Sequence, residues 1–383
     1  MTRAMFVTGS MCHGGAERHS ITIMNRLAER GHECHAICIK SDTDQFNRIH
    51  TPEGASVLCL GATRYFDAAA LGRFAAHIAR IEPAVMVAAN PYALMYASLA
   101  TRLSRRRVPL IVTFHSNRLL GIKEQLQMLA YRPLFWAADR LVFVCENQKR
   151  YWMNRGVLSR SNEVIYNGVN TDHFSIACNA QQRGLVRAAL GFRDSDYVIG
   201  LSAVLRPEKN HLQLVDAIGL LRARGLPAKA LIIGDGPMRA AIEIRARERG
   251  VEDDVVICGF QNDVRSYVAA CDVMTLCSFT EAFSLAAIES MALGKPVVHS
   301  DVGGAFEMIV PGLNGYLFPV GDTGALVAKL ALLTDRVVSE RMGNNARQMV
   351  ETLFSEQAMV DRYEQTLLEV CATGLRPGTE VPG

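Results

Sequence analysis

The sequence predicts an α/β protein of two similar domains, each a parallel sheet covered by helices. Three observations carry this. The 383 residues suffice for two domains with a sizeable core each. Short apolar runs recur along the chain with helical patterns between them, the alternation expected of parallel strands covered on both faces. The series pauses at a polar stretch, Thr171 to Arg187, which reads as a linker, and then begins again.

In the first series, Met5-Phe6-Val7 starts a strand. Gly14-Gly15-Ala16-Glu17 follows, then a helix with Ile21, Met24, Leu27 and Ala28 on one face, stopped at Gly31. A Gly pair between strand and helix lets the backbone approach a ligand closely. It is not G-x-G-x-x-G, so the dinucleotide fingerprint is absent there. Strand-like runs recur at 36–39, 57–60, 85–88, 110–114, 141–144 and 164–166, with helical patterns at 68–81 and 119–137. His115 stands just past the C-terminal end of one such run, the edge at which open α/β sheets bind ligands.

The second series opens with a strand at 197–202 and a loop at 203–210 that carries Arg206 and Lys209. Either cation suits a phosphate, Arg through two parallel hydrogen bonds and Lys as a point charge. Leu231-Ile232-Ile233 ends in Gly234-Asp235-Gly236-Pro237, with Arg239 where a dinucleotide fingerprint needs its third Gly. Val255-Val256-Ile257 leads into Gly259-Phe260, an aromatic placed either in the core or beside a bound base. Residues 322–351 read as helices, and 356–370 as a final one.

The densest chemistry lies in Ser278 to Ser300, SFTEAFSLAAIESMALGKPVVHS. A strand-like run precedes it. Ser284 is placed to cap a helix, Leu285, Ile288, Met291 and Ala292 share one face, and Gly294 with Pro296 ends it. Glu289 sits five residues into that helix, roughly 7 Å along its axis at about 1.5 Å per residue. Glu281 stays outside, beyond the N-terminus. Between the two carboxylates lie the backbone N–H groups near Phe283, Ser284 and Leu285, at the helix end that attracts anions. Carboxylates accept hydrogen bonds from sugar hydroxyls. The spacing therefore suits a nucleotide sugar: ribose on one side, phosphates in the middle, hexose on the other.

The full string resembles the E-x7-E segment of the family-four retaining glycosyltransferases, which have the GT-B fold: two Rossmann-like domains facing each other across a cleft, with a C-terminal helix crossing back to the first. The Gly14-Gly15 loop, the R-P-E-K-N loop at 206–210 and the phrase VIYNGVN at 164–170 are similar to that family as well. The resemblance implies domains at 1–174 for the acceptor and 175–354 for the nucleotide sugar, with 355–383 packing on the first. It implies that Glu281 positions the donor sugar, that Glu289 binds the ribose, that His115 approaches the donor sugar, and that Gly14 and Gly15 contact donor phosphate. Family members usually place an Arg five positions before the Lys; here that position is Val204, and Arg206 stands nearby instead. No cofactor or metal is expected, since Lys, Arg and the helix dipole neutralise the leaving diphosphate. The reaction implied is retaining transfer of a hexosyl unit from a nucleotide diphosphate sugar, UDP-sugar first and GDP-mannose second, to a glycan or lipid-linked acceptor hydroxyl, in bacterial polysaccharide, lipopolysaccharide or glycolipid synthesis.

Composition is that of an ordinary globular protein, 49% hydrophobic and 21% charged. The N-terminus shows no long apolar h-region and no stretch reaches the ~20 apolar residues of a membrane span. The ten cysteines include no C-x-x-C pair and read as buried free thiols in a reducing compartment, so the expected location is cytoplasmic. The net charge of +3 hides an asymmetry: residues 101–160 hold twelve Lys/Arg against Glu124, Asp139 and Glu146. Arg102, Arg105, Arg106 and Arg107 form its densest cluster, read either as a solvated loop or as a contact for an anionic membrane surface or a phosphate-bearing acceptor. A sugar-nucleotide epimerase of the same shape would release no glycosylated product. A non-catalytic nucleic-acid binder would show steep salt dependence and leave the paired glutamates unexplained; no nucleic-acid partner is expected.

Overall fold

The computed structural model describes residues 1–11, 15–42, 44–50, 55–115, 121–175 and 180–374. The chain forms two compact units, Met1–Tyr166 together with the chain from Met359, and Asn167–Ala358.

The described residues of the first unit build a seven-stranded sheet: β1 (Arg3–Thr8), β2 (Glu33–Cys38), β3 (Val57–Cys59), β4 (Val85–Ala89), β5 (Leu110–Phe114), β6 (Arg140–Phe143) and β7 (Asn162–Val164). Its order is β3-β2-β1-β4-β5-β6-β7, and every pairing is parallel. β4 and β5 are buried at every position, which is why they read as unbroken apolar runs. On one face Leu71, Phe74 and Ile78 of the helix Ala68–Ile81 pack with Leu94, Tyr96, Phe114 and Trp152. On the other face Ile23, Met24 and Leu27 of the helix Gly15–Glu29 meet Met359, Val360, Tyr363, Leu367 and Val370 of the final helix, Glu356–Gly374. Those five positions recur at helical spacing, so one stripe of the final helix completes the first unit's core. Glu163 of β7 secures it, accepting from Arg362 at 2.7 Å and from the Thr366 hydroxyl at 2.9 Å.

The second unit carries β8 (Tyr197–Ser202), β9 (Ala228–Ile233), β10 (Val255–Ile257), β11 (Val273–Leu276), β12 (Val297–Ser300) and β13 (Gly315–Phe318) in the order β10-β9-β8-β11-β12-β13, again all parallel. Each sheet therefore reverses direction once, between β1 and β4 in the first unit and between β8 and β11 in the second. The carboxyl ends of the strands beside such a reversal leave the crevice where open α/β sheets bind ligands.

Several expected element limits shift; the strand expected at 36–39 is β2, which begins three residues earlier. The strand expected at 164–166 is β7, two residues earlier, and the helix expected at 119–137 spans Ile122–Phe135. The expected linker is half structured: Ala180–Ala189 is a helix. Its anchor is a charge, so hydrophobic periodicity misses it. Arg187 is almost fully buried, donating to Asp272 at 2.7 Å and to the Ala270 carbonyl at 2.8 Å, and Arg183 one turn earlier reaches the same Asp272 at 2.5 Å.

Candidate active site

In the second unit β11 ends at Leu276, and the chain loops into the helix Leu285–Ala292. The Ser284 hydroxyl accepts from the Ala287 N–H at 3.3 Å and caps that helix; Gly294, with φ 69°, ends it. Ile288, Met291 and Ala292 are fully buried. Burying an Ile or Met side chain stabilises by about 1.5–3 kcal/mol each, so the helix start is held firmly against the sheet. The first-turn N–H groups have no acceptor inside the helix. Ser284 takes one; those at Leu285 and Ala286 leave the helix end.

Glu281 lies in the loop before that end. It forms an ion pair with Lys209 and accepts from the Ser278 hydroxyl at 2.9 Å. Lys209 closes the 3-10 turn Pro207–Lys209 after β8. The Phe279 N–H donates to the Glu208 carbonyl at 2.8 Å, so the β8 and β11 loops are joined by backbone as well as by charge. The carbonyl of Ser278 accepts from the Ser300 hydroxyl at 2.7 Å. Behind Glu281 stands Gly303, with φ 58°: a Cβ there would lie 2.1 Å from the Glu281 carbonyl oxygen. The Gly304 N–H donates to the Ala282 carbonyl at 2.7 Å. The Gly303-Gly304 pair is thus a backrest for the Glu281 loop. Glu289, inside the helix, is only 8% exposed.

The neighbours differ in kind. Phe260 is 67% exposed beyond β10, where the Gly259 carbonyl accepts from the Gly234 N–H at 2.9 Å. Phe283 is the opposite: its ring is buried against Phe354, centroids 5.3 Å apart, and its carbonyl accepts from Asn167 at 3.3 Å. Arg206 is exposed, with the Glu208 carboxylate 4.0 Å away. On β12, His299 is wholly buried and its Nδ1 lies 2.6 Å from the Ser300 carbonyl. A carbonyl only accepts, so Nδ1 carries the proton and Nε2 keeps a bare lone pair, without a bonding partner among the described residues. Burial lowers the His299 pKa first, and the nearby charges of Glu281 and Lys209 act on it in opposite directions.

In the first unit His115 follows β5. Its backbone N–H donates to the Asn90 side-chain oxygen at 3.0 Å, and its Nε2 is buried without a hydrogen-bond partner among the described residues. Burial pushes its pKa down to about 4, so the ring is neutral at physiological pH. The His19 ring meets it edge-on at 4.6 Å, and Tyr363 stands 5.4 Å behind His19. Gly15 begins the helix Gly15–Glu29; Gly14 lies outside the described residues. A cavity of about 320 Å³ opens at the carboxyl ends of β1 and β4, with Glu17, Lys40, Tyr65, Asn90 and Tyr92 in its wall. Arg102 is exposed in the last turn of the helix Asn90–Leu103, Arg105 and Arg107 are exposed just after it, and Arg106 pairs with Glu82.

The Glycosyl transferases group 1 family matches residues 182–349, and Glycosyltransferase Family 4 matches residues 13–173. N-acetyl-alpha-D-glucosaminyl L-malate synthase of Bacillus anthracis is 33% identical over 181 residues, 47% of each chain. The EpsD protein of Bacillus subtilis (strain 168) is 26% identical over 279 residues, 71% of this chain and 73% of that one. The crystal structure of Anabaena HepE in complex with UDP superposes with a TM-score of 0.84 at 22% identity, covering 96% of this chain and 100% of that one. With UDP-glucose the same protein gives a TM-score of 0.83 at 21% identity and the same coverage.

The chain is a glycosyltransferase of the GT-B type.

In this glycosyltransferase the structure brings Glu281 and Lys209 into contact, with Ser284 and Leu285 at the adjoining helix end. It keeps Arg206 apart from that contact, out in solvent. Three parts of the site escape sequence reasoning. Ser278 and His299 carry no motif of their own, although both stand at the end of a strand beside Glu281. The left-handed φ of Gly303 and its contact with the Glu281 backbone are visible only in three dimensions. The wall of the first unit's cavity comes from four separate segments, so no local pattern announces it.

Proposed function

We propose that this glycosyltransferase transfers a hexosyl unit from a nucleotide diphosphate sugar to an acceptor hydroxyl with retention of configuration and without a metal ion. The preferred donor is a UDP-sugar and the second choice GDP-mannose; the setting is polysaccharide, lipopolysaccharide or glycolipid synthesis. One observation carries the reading: the Lys209–Glu281 pair at the reversal between β8 and β11, against the open N-terminus of the helix that holds Glu289. That is one cation, a set of unbonded N–H groups and two carboxylates around a single strand edge. The UDP and UDP-glucose complexes of the structural relative favour UDP as the nucleotide.

In this reading Lys209 and the N–H groups at Leu285 hold the diphosphate, Arg206 adds charge from the rim, Phe260 lies beside the base and Glu289 bonds the ribose. Glu281 turns from Lys209 toward the hydroxyls of the hexose and orients it. As the C–O bond to the phosphate breaks, negative charge grows on the diphosphate, where Lys209 and the helix end stabilise it. The acceptor oxygen then attacks from the same face, its proton passing to the departing phosphate oxygen.

A thermal-shift screen of UDP-, GDP-, ADP- and dTDP-sugars, with and without EDTA, tests the reading. A ligand at 100 times its Kd stabilises by about 2.7 kcal/mol. The screen should single out UDP-sugars in wild type, unaffected by EDTA, and lose the shift in Lys209→Ala. A shift that needs divalent metal, or that survives Lys209→Ala undiminished, would contradict it.

A further inference from the structure

Two thiols far apart in sequence stand side by side in the first unit's sheet. Cys38 ends β2 and Cys59 ends β3, and they are register partners across that parallel pair. Partners on neighbouring strands send their side chains to the same face, with backbones roughly 4.8 Å apart. A disulfide joins Cα atoms about 4.4–6.8 Å apart, so the two strands already stand at bridging distance. The sulfurs converge as well. Cys38 Sγ donates to the Lys40 carbonyl at 3.2 Å and Cys59 Sγ donates to the same carbonyl at 2.9 Å. One oxygen thus holds both groups, and both are thiols. The backbone around them keeps this register. The Leu60 N–H donates to the Cys38 carbonyl and the Ala62 N–H to the Ile39 carbonyl, each at 2.8 Å. On the other side of β2, the Ile39 and Lys40 N–H groups donate to the Thr8 and Gly9 carbonyls, each at 3.0 Å. A bridge therefore needs rotation about side-chain bonds and no slip of the strands.

The two thiols differ in access. Cys38 is wholly buried, packed with Met11 and Ile21, whereas Cys59 is half-buried on the edge strand of the sheet. An attacked thiol that a reagent can reach, with a second thiol sheltered beside it, is what reversible oxidation requires. Other cysteines are set up differently: burial pushes the Cys34, Cys271 and Cys277 thiols up to about 12, which keeps them protonated. We infer that Cys38 and Cys59 form a reversible dithiol modification site whose reagent is a peroxide. The Cys59 sulfur attacks a peroxide oxygen, the O–O bond breaks, and with hydrogen peroxide one water leaves and Cys59 becomes a sulfenic acid. The Cys38 sulfur then attacks the Cys59 sulfur, the S–O bond breaks, the S–S bond forms and a second water leaves. Two thiols lose two electrons and two protons, and the peroxide is reduced to two waters. A dithiol reductant reverses the change by thiol–disulfide exchange. The bridge removes both S–H donors from the Lys40 carbonyl, and the Lys40 side chain lines the cavity of about 320 Å³. Oxidation is thereby felt at the strand end that leads into that wall.

The test treats the folded full chain with hydrogen peroxide, blocks remaining thiols by alkylation and maps peptides by mass spectrometry without reductant. Wild type should yield a peptide pair joined through Cys38 and Cys59, with fragment ions that separate Cys38 from Cys34. Dithiothreitol should abolish that pair, and thiols titrated in denaturant should fall by two from the ten of the reduced chain. In Cys38→Ala the sulfenic acid has no thiol to resolve it, so dimedone should label Cys59 several-fold more than in wild type. In Cys59→Ala, Cys38 should stay unmodified, since no reagent reaches it. Circular dichroism checks that both variants fold, and the wild-type peptide map stands whether or not they do. The proposal is overturned if peroxide joins a different pair or none, or if the Cys38–Cys59 bridge forms only after urea has unfolded the chain. Equal dimedone labelling of Cys59 in wild type and folded Cys38→Ala would overturn it too.

Discussion

Two carboxylates in the second unit are expected to do different work, and single substitutions separate them. Glu289 is held nearly buried inside the capped helix. If it bonds the ribose hydroxyls, Glu289→Ala forfeits charged hydrogen bonds worth about 1.5–3 kcal/mol, so donor affinity should fall by more than tenfold. A 2′,3′-dideoxy donor lacks the partners and should bind mutant and wild type alike; equal losses for both donors would contradict the assignment. Histidines give a second residue-level expectation. His77, His115 and His211 are each pushed down to about 4, by burial in the first place. In the unfolded chain they titrate near the ordinary value of 6.5. Below 6.5 the unfolded state therefore binds protons that the native state refuses. Stability should be complete above pH 6.5 and decline as pH falls toward 4. Tm measured from pH 7.5 to 4.5 should show that decline, with a shallower slope in His77→Gln; a flat Tm across the window would contradict it.

At the scale of elements, the loop that carries Glu281 depends on a backbone contact. Gly303 adopts φ 58° with the Glu281 carbonyl where its Cβ would stand. Gly303→Ala meets both a left-handed penalty and a clash with backbone, so it should cost at least about 1–2 kcal/mol. Because the displaced atoms belong to Glu281, turnover should fall far more than UDP binding does; unaltered turnover would show that the loop position is not needed. The basic end of the helix Asn90–Leu103 and the loop after it offer a separate element. Arg106 pairs with Glu82, which leaves Arg102, Arg105 and Arg107 as its exposed cations, and Leu126, Leu129 and Trp136 are exposed nearby in sequence. No helix among the described residues is long and apolar enough to cross a membrane. We expect wild type to pellet with anionic vesicles at low salt and to be released as salt rises. Glu at positions 102, 105 and 107 together should abolish pelleting and leave UDP binding intact. Wild type that never pellets leaves these arginines as a solvated helix end and loop.

At the scale of the whole molecule, both parallel sheets were legible because their strands are covered on both faces and read as apolar runs such as VMVAA and LIVTF. The helix behind Glu281 was legible because its cap, apolar face and stop are all local: Ser284, Ile288 with Met291, and Gly294. Features held by distant charge or by shape were not. The helix Ala180–Ala189 depends on Asp272, some ninety positions away, and the Glu17, Lys40, Tyr65 and Tyr92 wall is assembled from segments that only the fold brings together. The same division applies to the candidate site: the E-x7-E segment and Lys209 stand out in the sequence, whereas the cavity in the first unit does not.

The central claim is that Glu281 orients the donor sugar beside a diphosphate held by Lys209 and the helix end, so that departure and attack share one face. NMR of the first product, read before anomers equilibrate, tests this most directly. The account predicts an anomeric proton with the donor's own configuration, no glycosylated Glu281 peptide by mass spectrometry, and the same configuration in the slow residual product of Glu281→Gln. An inverted anomer would contradict it, and a sugar covalently attached to Glu281 would replace orientation with nucleophilic attack.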